Sequence, residues 1–286
     1  MAEETSTPSQ HTCKSCGNSF IGLYCNQCGE KVIEPKDRSL RTFLSNILLF
    51  ISFADSRFIR TLWLIIKNPG FLSKEYVDGR RVKYLRPLQL FFILNLVYFL
   101  FPVLQLFNSS LRTQMYFLFH SAWVNKMVIA HVVTEGISLD GYALMYDAKT
   151  MGLAKLLMVF FVLLASLPLS IIFMRKSRYF TDHVTLSIEL ACFNIFVNAI
   201  FLSALLWVLS KIFHWSGSGL GGYLNDTTFT VIFIATNLYF LYRAARTFYQ
   251  QKGKRLVVKS LLAILGLFLA LEAYRLLLFF VTFWSV

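Results

Sequence analysis

From Pro87 onward the chain is a series of long apolar runs separated by short polar stretches, at about 87–107, 154–174, 184–212, 224–242 and 257–284. A helix rising about 1.5 Å per residue needs roughly 20 apolar residues to cross a hydrocarbon core about 30 Å thick. The pattern therefore predicts an all-α membrane protein, a bundle of five transmembrane helices. Pro168 predicts a bend in the second span, and the third is long enough to tilt. Between the first two spans, residues 108–152 form a long loop that is moderately apolar from Leu111 to Val133. Gln114, His120, Asn125, Lys126 and His131 make its insertion costly. Three readings of that stretch stay open: interfacial, re-entrant, or an external helix.

Upstream of the spans the period changes. Leu40, Phe43, Leu44, Ile47, Leu48 and Ile51 recur at three- and four-residue steps, as do Phe58, Ile59, Leu62, Ile65 and Ile66. Arg41, Asp55, Arg57, Arg60 and Lys67 interrupt any continuous apolar run, and the clean stretch between Arg41 and Asp55 gives only about 20 Å of helix. Two interfacial amphipathic helices are expected, the second capped by Asp55 or Ser56 and ended by Asn68-Pro69-Gly70. The alternative is that they pack on the bundle as ordinary core. Residues 30–38 read as a charged linker and residues 1–12 as a polar, disordered lead.

Composition supports the membrane reading. Hydrophobic residues make up 56% of the chain and charged residues 15%, against about 25% charge in a typical soluble domain, and the mean hydropathy is +0.58. The first 36 residues contain no apolar signal region, so the first span is expected to act as an uncleaved signal-anchor. Charge then sets orientation. Of the 28 Lys and Arg, thirteen precede Pro87, three are Arg175, Lys176 and Arg178, and six lie between Arg243 and Lys259. With five spans, all of these fall on the side of the N-terminus, which makes that side cytoplasmic and the C-terminus periplasmic. A sixth span at 113–133 would put both later basic loops outside. The net charge of +13 is thus an orientation signal, and nucleic acid is not needed to explain it.

Candidate chemistry begins at the N-terminus. Cys13-Lys-Ser-Cys16-Gly17 and Cys25-Asn-Gln-Cys28-Gly29 are two Cys-x2-Cys-Gly turns. Each places two thiolates on one face of a metal ion, and together they complete a tetrahedral four-sulfur shell, here assigned to a structural Zn²⁺. Gly17 and Gly29 sit where the chain reverses and a positive φ is expected. Phe20 and Tyr24 are expected to cover the site. So short a unit buries too little apolar surface to fold alone, so the metal should supply most of its stability. Four unrelated cysteines or two disulfides are the alternative, and a thiolate site requires a reducing compartment. A closed sulfur shell leaves no position for catalysis. Lys14 is the one basic residue between Cys13 and Cys28, which favours a protein partner over nucleic acid for the knuckle.

The knuckle, with Tyr24 before its third cysteine and Glu30-Lys31 after its last glycine, is followed by Pro69-Gly70, Glu75-Tyr76, Gly79-Arg80-Arg81, Tyr84 and Pro87. This set resembles a bacterial family of zinc-ribbon integral membrane proteins, best represented in the Bacteroidetes and known as a domain of unknown function. The resemblance covers the knuckle and the stretch through about residue 100, and is looser at Lys155 and at Tyr179-Phe-Thr-Asp182-His183. It implies a bacterial inner membrane and a zinc-binding N-terminus, and it carries no activity.

Two further groups are candidates. Arg80, Arg81, Lys83 and Arg86 form a basic cluster beside Tyr84 that either holds anionic lipid headgroups or simply anchors the cytoplasmic side. Inside the spans, Glu272 and Arg275 share a helix face and can pair. Glu189 lies a turn or two inside the third span, where it can reach water beside His183. Asn194 and Asn198 share a face of that span, with Asn95 and Asn237 in others; they serve either helix–helix hydrogen bonds or an ion path. There is no phosphate-binding glycine loop and no nucleophile motif. The expectation is a non-enzymatic scaffold or adaptor whose knuckle contacts a protein partner, among membrane lipids and open to homo-oligomerisation. A small transporter or channel component is the alternative. A lipid-modifying enzyme using His183 or Tyr84 is the third.

Overall fold

The computed structural model describes residues 10–13, 16–27, 56–80, 83–100, 107–174, 178–215 and 226–286, in two compact units, Met1–Asp55 and Ser56–Val286. The expected linker at 30–38 and the first amphipathic helix with its Asp55 boundary lie outside the described residues.

In the first unit, β1 (Gln10–Thr12) pairs antiparallel with β2 (Ser19–Ile21), His11 opposite Phe20. The reversal between them is closed by Cys13 N donating to Asn18 O (2.8 Å) and Gly17 N donating to Cys13 O (3.0 Å). Gly17 has φ +72°, the left-handed conformation its position predicts. Strand alternation turns Phe20 inward, where it is buried with Cys13 and Cys25. Tyr24 lies past the strand and is 60% exposed, so it does not cover the site as expected.

The second unit is helical: α1 (Ser56–Lys67), α2 (Phe71–Val77), α3 (Pro87–Leu100), α4 (Leu111–Tyr116), α5 (Ser121–Glu135), α6 (Leu139–Leu156), α7 (Met158–Ile172), α8 (Phe180–Phe193), a π-helical stretch (Asn194–Leu202), α9 (Ser203–Trp215), α10 (Asp226–Thr247) and α11 (Gly253–Phe283). Among the described residues, three helices are long and apolar enough to cross a membrane: Phe180–Phe213, Thr228–Thr247 and Gly253–Phe283. A fourth span is counted if α6 and α7, bent by 60° at their junction, act as one. The first expected span corresponds to α3, whose described part is 14 residues; residues 101–106 of that run lie outside the described residues.

The sharpest turn precedes Pro168. α7 continues through Pro168 as one helix, and the 60° turn lies at Leu157, where α6 gives way to α7. There Phe160 N donates to Leu157 O (2.8 Å), an i→i+3 bond that tightens the turn. The Pro168 ring faces a position without a side chain. A Cβ on Gly266 of α11 would lie 2.6 Å from Pro168 Cβ. On both sides of the bend the chain runs antiparallel to α11. Tyr142 meets Phe283 (6.5 Å between ring centroids), Tyr274 Oη donates to Ala154 O (2.7 Å), and Lys259 Nζ donates to Ile172 O (2.7 Å).

Between lipid-bathed helices there is little hydrophobic drive, so close packing and hydrogen bonds must hold them together. The main core accordingly joins Phe91, Tyr98, Phe107, Phe161 and Tyr274 with small residues such as Ala165, Ala263 and Ala270. Residues 108–152 fold into α4, α5 and most of α6, which build a second core. Val124, Val128 and Val132, at helical spacing, pack there with Leu111, Met115, Tyr142, Tyr146 and Phe279. Ser110 and Ser138 cap α4 and α6, accepting from Thr113 N and Gly141 N. α1 ends at Lys67, as Asn68-Pro69-Gly70 predicts. It buries Phe58, Thr61 and Ile65 in the bundle while Ile59 and Trp63 stay exposed, so one face is core and the other is open.

Candidate functional site

Three thiols converge in the first unit. The Sγ atoms of Cys13, Cys16 and Cys25 all lie within 4.8 Å of one another, and Cys16 Sγ is 3.6 Å from Cys25 Sγ. A tetrahedral thiolate shell with metal–sulfur bonds of about 2.3 Å separates its sulfurs by about 3.8 Å. A disulfide would need about 2.05 Å. The three cysteines therefore have the spacing to hold a metal ion, with Cys13 and Cys25 buried and Cys16 exposed. Asn18 Nδ2 donates to Asn26 Oδ1 (2.8 Å), tying the two turns together. The fourth expected ligand, Cys28, lies outside the described residues.

In the second unit one candidate of the sequence, Glu189, has partners that the sequence does not announce. Glu189 on α8 is fully buried. Its carboxylate accepts from Gly70 N (2.8 Å), Ser73 N (2.7 Å) and Ser73 Oγ. The first backbone N–H groups of α2 have no partner within that helix, and Gly70 at its N-cap offers no side chain. A carboxylate at a helix N-terminus satisfies those donors and the local dipole together. Gly70 is required twice. Its φ is +80°, and a Cβ there would lie 2.8 Å from Ala244 Cα. From the other side, Arg243 Nη2 donates to Lys67 O (3.2 Å) and Asn68 Oδ1 (3.1 Å). Thr247 Oγ1 also donates to Asn68 Oδ1 (3.2 Å), and Tyr239 Oη donates to Ile66 O (2.8 Å). The turn after α1 is thus gripped between α8 and α10.

Glu189 does not reach water beside His183. Residues six apart on a helix point in different directions. His183 is buried against Tyr249, its Nδ1 2.7 Å from Tyr249 Oη, and burial pushes the Tyr249 phenol well above its usual range.

The asparagines form one network. Asn194 Nδ2 donates to Asn237 Oδ1 (2.9 Å) and Asn237 Nδ2 to Asn194 Oδ1 (3.0 Å). Asn198 Nδ2 donates to Asn194 Oδ1 (2.8 Å), and Thr236 Oγ1 to Asn198 Oδ1 (3.0 Å). These bonds join the π-helical stretch to α10, the helix–helix role. Asn95 lies elsewhere, its Nδ2 3.4 Å from Lys155 O.

Glu272 and Arg275 pair as their spacing predicts, Arg275 Nη1 to Glu272 Oε1 at 3.1 Å. Glu272 Oε2 is buried without a hydrogen-bond partner among the described residues. Gln114 Nε2 donates to Arg275 O (3.0 Å), and Gln114 Oε1 lies 2.8 Å from His120 Nε2, so α4 closes over this point of α11. Burial lowers the pKa of His120 from its usual 6.5.

The basic cluster is not a uniform lipid ligand. Arg80 Nε and Nη2 donate to the two oxygens of Glu75 (2.8 and 2.6 Å), and Nη2 also to Asp78 (2.9 Å). Gly79, at φ +87°, turns the chain so that Arg80 meets Glu75. The Arg80 hydrogen bond holds the Glu75 carboxyl below its usual 4.5, and Glu75 in turn raises Arg80. Arg80 therefore locks its own motif. Lys83 and Arg86 are exposed, and Arg81 lies outside the described residues.

The sequence reading also passed over Lys155 as a site. It is buried at the α6–α7 junction, with Nζ 5.1 Å from the Tyr98 ring centroid and donating to Phe99 O (3.3 Å).

No curated protein and no solved structure is detectably similar to this chain. Residues 55–99, the stretch that carries α1, the gripped turn, the Glu75–Arg80 lock and most of α3, match the family model described as protein of unknown function (DUF3667).

Proposed function

We propose that the chain is a non-enzymatic membrane scaffold or adaptor. In this reading five spans anchor it in a bacterial inner membrane with the N-terminus cytoplasmic. Cys13, Cys16, Cys25 and Cys28 bind one structural Zn²⁺, and the knuckle they form contacts a cytosolic protein. The observation that carries the reading is the fate of Glu189. The most deeply buried carboxylate of the bundle is occupied in fixing the turn at 68–73, which is architecture and not a conduction path. The asparagines, bonded to one another, support the same view. Zinc fits the donor set because Cys13, Cys16 and Cys25 already stand at the sulfur spacing of a tetrahedral thiolate site, and Cys28 is the fourth thiolate by sequence.

The test compares wild-type protein with Cys25→Ser in quantitative co-purification, alongside metal analysis. The expected result is about one zinc per wild-type chain, with metal and specific partner both lost in the variant while the bundle keeps its melting temperature. Identical partner sets would overturn the adaptor role.

A small transporter or channel component is the second reading, favoured by the unpartnered Glu272 oxygen. It requires Glu272→Gln to change flux in vesicles without changing folding. A lipid-modifying enzyme is disfavoured by the contacts of its candidates, since His183 is held by Tyr249 and Tyr84 packs edge-on against Phe71.

A further inference from the structure

α10 changes character along its length. Toward its C-terminus Phe240, Leu241, Ala244, Ala245 and Phe248 are buried, whereas near its start Phe229, Thr230, Val231, Ile234 and Ala235 are exposed. A cleft of about 490 Å³ opens between that first half and α11, walled by Phe229, Phe233, Ile234, Ile264 and Phe268, with Arg275 at one end. Apart from Thr230 and Arg275, its lining is apolar among the described residues. The volume falls within the range of about 300–1,000 Å³ usual for small-molecule sites.

Both walls belong to helices long and apolar enough to cross a membrane, and with both read as spans the cleft faces hydrocarbon. An apolar void does not hold water, and left empty it would forfeit the dispersion contacts that hold helices together in lipid. Acyl chains are the material at hand. The polar end fits the rest of a lipid. Arg275 lies about 33 Å along the helix from Gly253, close to the thickness of the ~30 Å core. If the basic Lys252–Arg255 end marks one membrane face, the guanidinium comes near the opposite headgroup level, toward the far end of the run at 257–284 and not at its middle. Among the described residues its side chain makes one hydrogen bond, to Glu272, and it is 26% exposed. A guanidinium carries five N–H donors in a fork that suits phosphate oxygens.

We propose that this cleft binds a glycerophospholipid, one acyl chain lying between α10 and α11 and its phosphate on Arg275. The proposal rests on reading α10 and α11 as membrane spans, and it is independent of the knuckle and its partner.

The test uses the full chain in nanodiscs containing phosphatidylglycerol and diacylglycerol of identical chains, with bound lipid counted by native mass spectrometry. Wild-type protein is expected to retain one phosphatidylglycerol per chain in preference to diacylglycerol. Ile234→Trp, which fills the cleft, lowers retention about tenfold, equivalent to about 1.4 kcal/mol. Leu265→Trp does the same from the opposite wall, and Val231→Trp, outside the lining, leaves retention unchanged. Because Arg275→Gln alone strips Glu272 of its partner, the headgroup is tested with Glu272→Gln/Arg275→Gln, which abolishes the preference for the phosphate-bearing lipid. Retention in both tryptophan variants equal to wild type overturns the proposal. So does a disulfide between Ile234→Cys chains in the membrane, which would show a second copy covering the cleft.

Discussion

Glu189 and Glu272 are both carboxylates set in apolar helices, and the structure treats them differently. Glu189 meets donors brought from a distant part of the chain, two backbone amides and a hydroxyl, and no charged partner among the described residues. Glu272 relies on its own helix, taking one guanidinium nitrogen and leaving its second oxygen without a partner among the described residues. Burying a carboxylate is costly until its lone pairs are satisfied. The fully satisfied one fixes architecture, and the partly satisfied one stands beside a cleft. In this protein the completeness of the hydrogen bonding separates a brace from a place where something can bind.

Substitution is the most direct way to break the contrast. Glu189→Ala orphans Gly70 N and Ser73 N in the interior, and each buried unsatisfied group costs about 1–3 kcal/mol. Thermal unfolding in detergent should show a larger loss for Glu189→Ala than for Glu272→Ala. Equal losses would remove the distinction. Gly70→Ala attacks the same brace through the backbone. It forces a side chain to φ +80° against Ala244, a strain of about 1–3 kcal/mol. The smallest effect is expected at Glu75. Its pKa lies below the usual 4.5, so the Glu75–Arg80 contact contributes stability above the ordinary carboxylate range. That contribution disappears as pH falls through the lowered value. Melting temperatures of wild-type and Glu75→Gln protein should differ slightly at neutral pH and converge in acid, because Arg80 is exposed and such pairs are weak.

What the sequence reveals and what it hides follow from the range of each signal. The convergence of Cys13, Cys16 and Cys25, the end of α1 at Lys67 and the Glu272–Arg275 pair come from local patterns, and the structure shows each of them. The helical, membrane-compatible character also follows from composition and run length. Glu189 is different. Its partners Gly70 and Ser73 are far away in the chain, and nothing in a single sequence marks that pairing except an unexplained acid in one helix and an unexplained glycine in another. Arg80 shows the same limit: the cluster reads as basic, while the acids that bond Arg80 sit on the preceding helix and turn. The setting of Pro168 is hidden for a related reason. A proline ring can be accommodated where the neighbouring helix offers a glycine, and Gly266 is remote in sequence from the residue it accommodates.

That same contact decides what kind of joint the 60° turn at Leu157 is. Below it, α7 is seated on α11 by the Pro168–Gly266 contact and by Lys259 reaching Ile172 O. Above it, α6 is seated on the same helix by Tyr274 reaching Ala154 O and Thr282 Oγ1 reaching Thr150 Oγ1. Both arms of the elbow are strapped to one continuous rod, α11, which acts as a splint. An angle splinted on either side cannot open without sliding an arm along the rod. The second core beyond the bend is thereby held in fixed register with the helices below it.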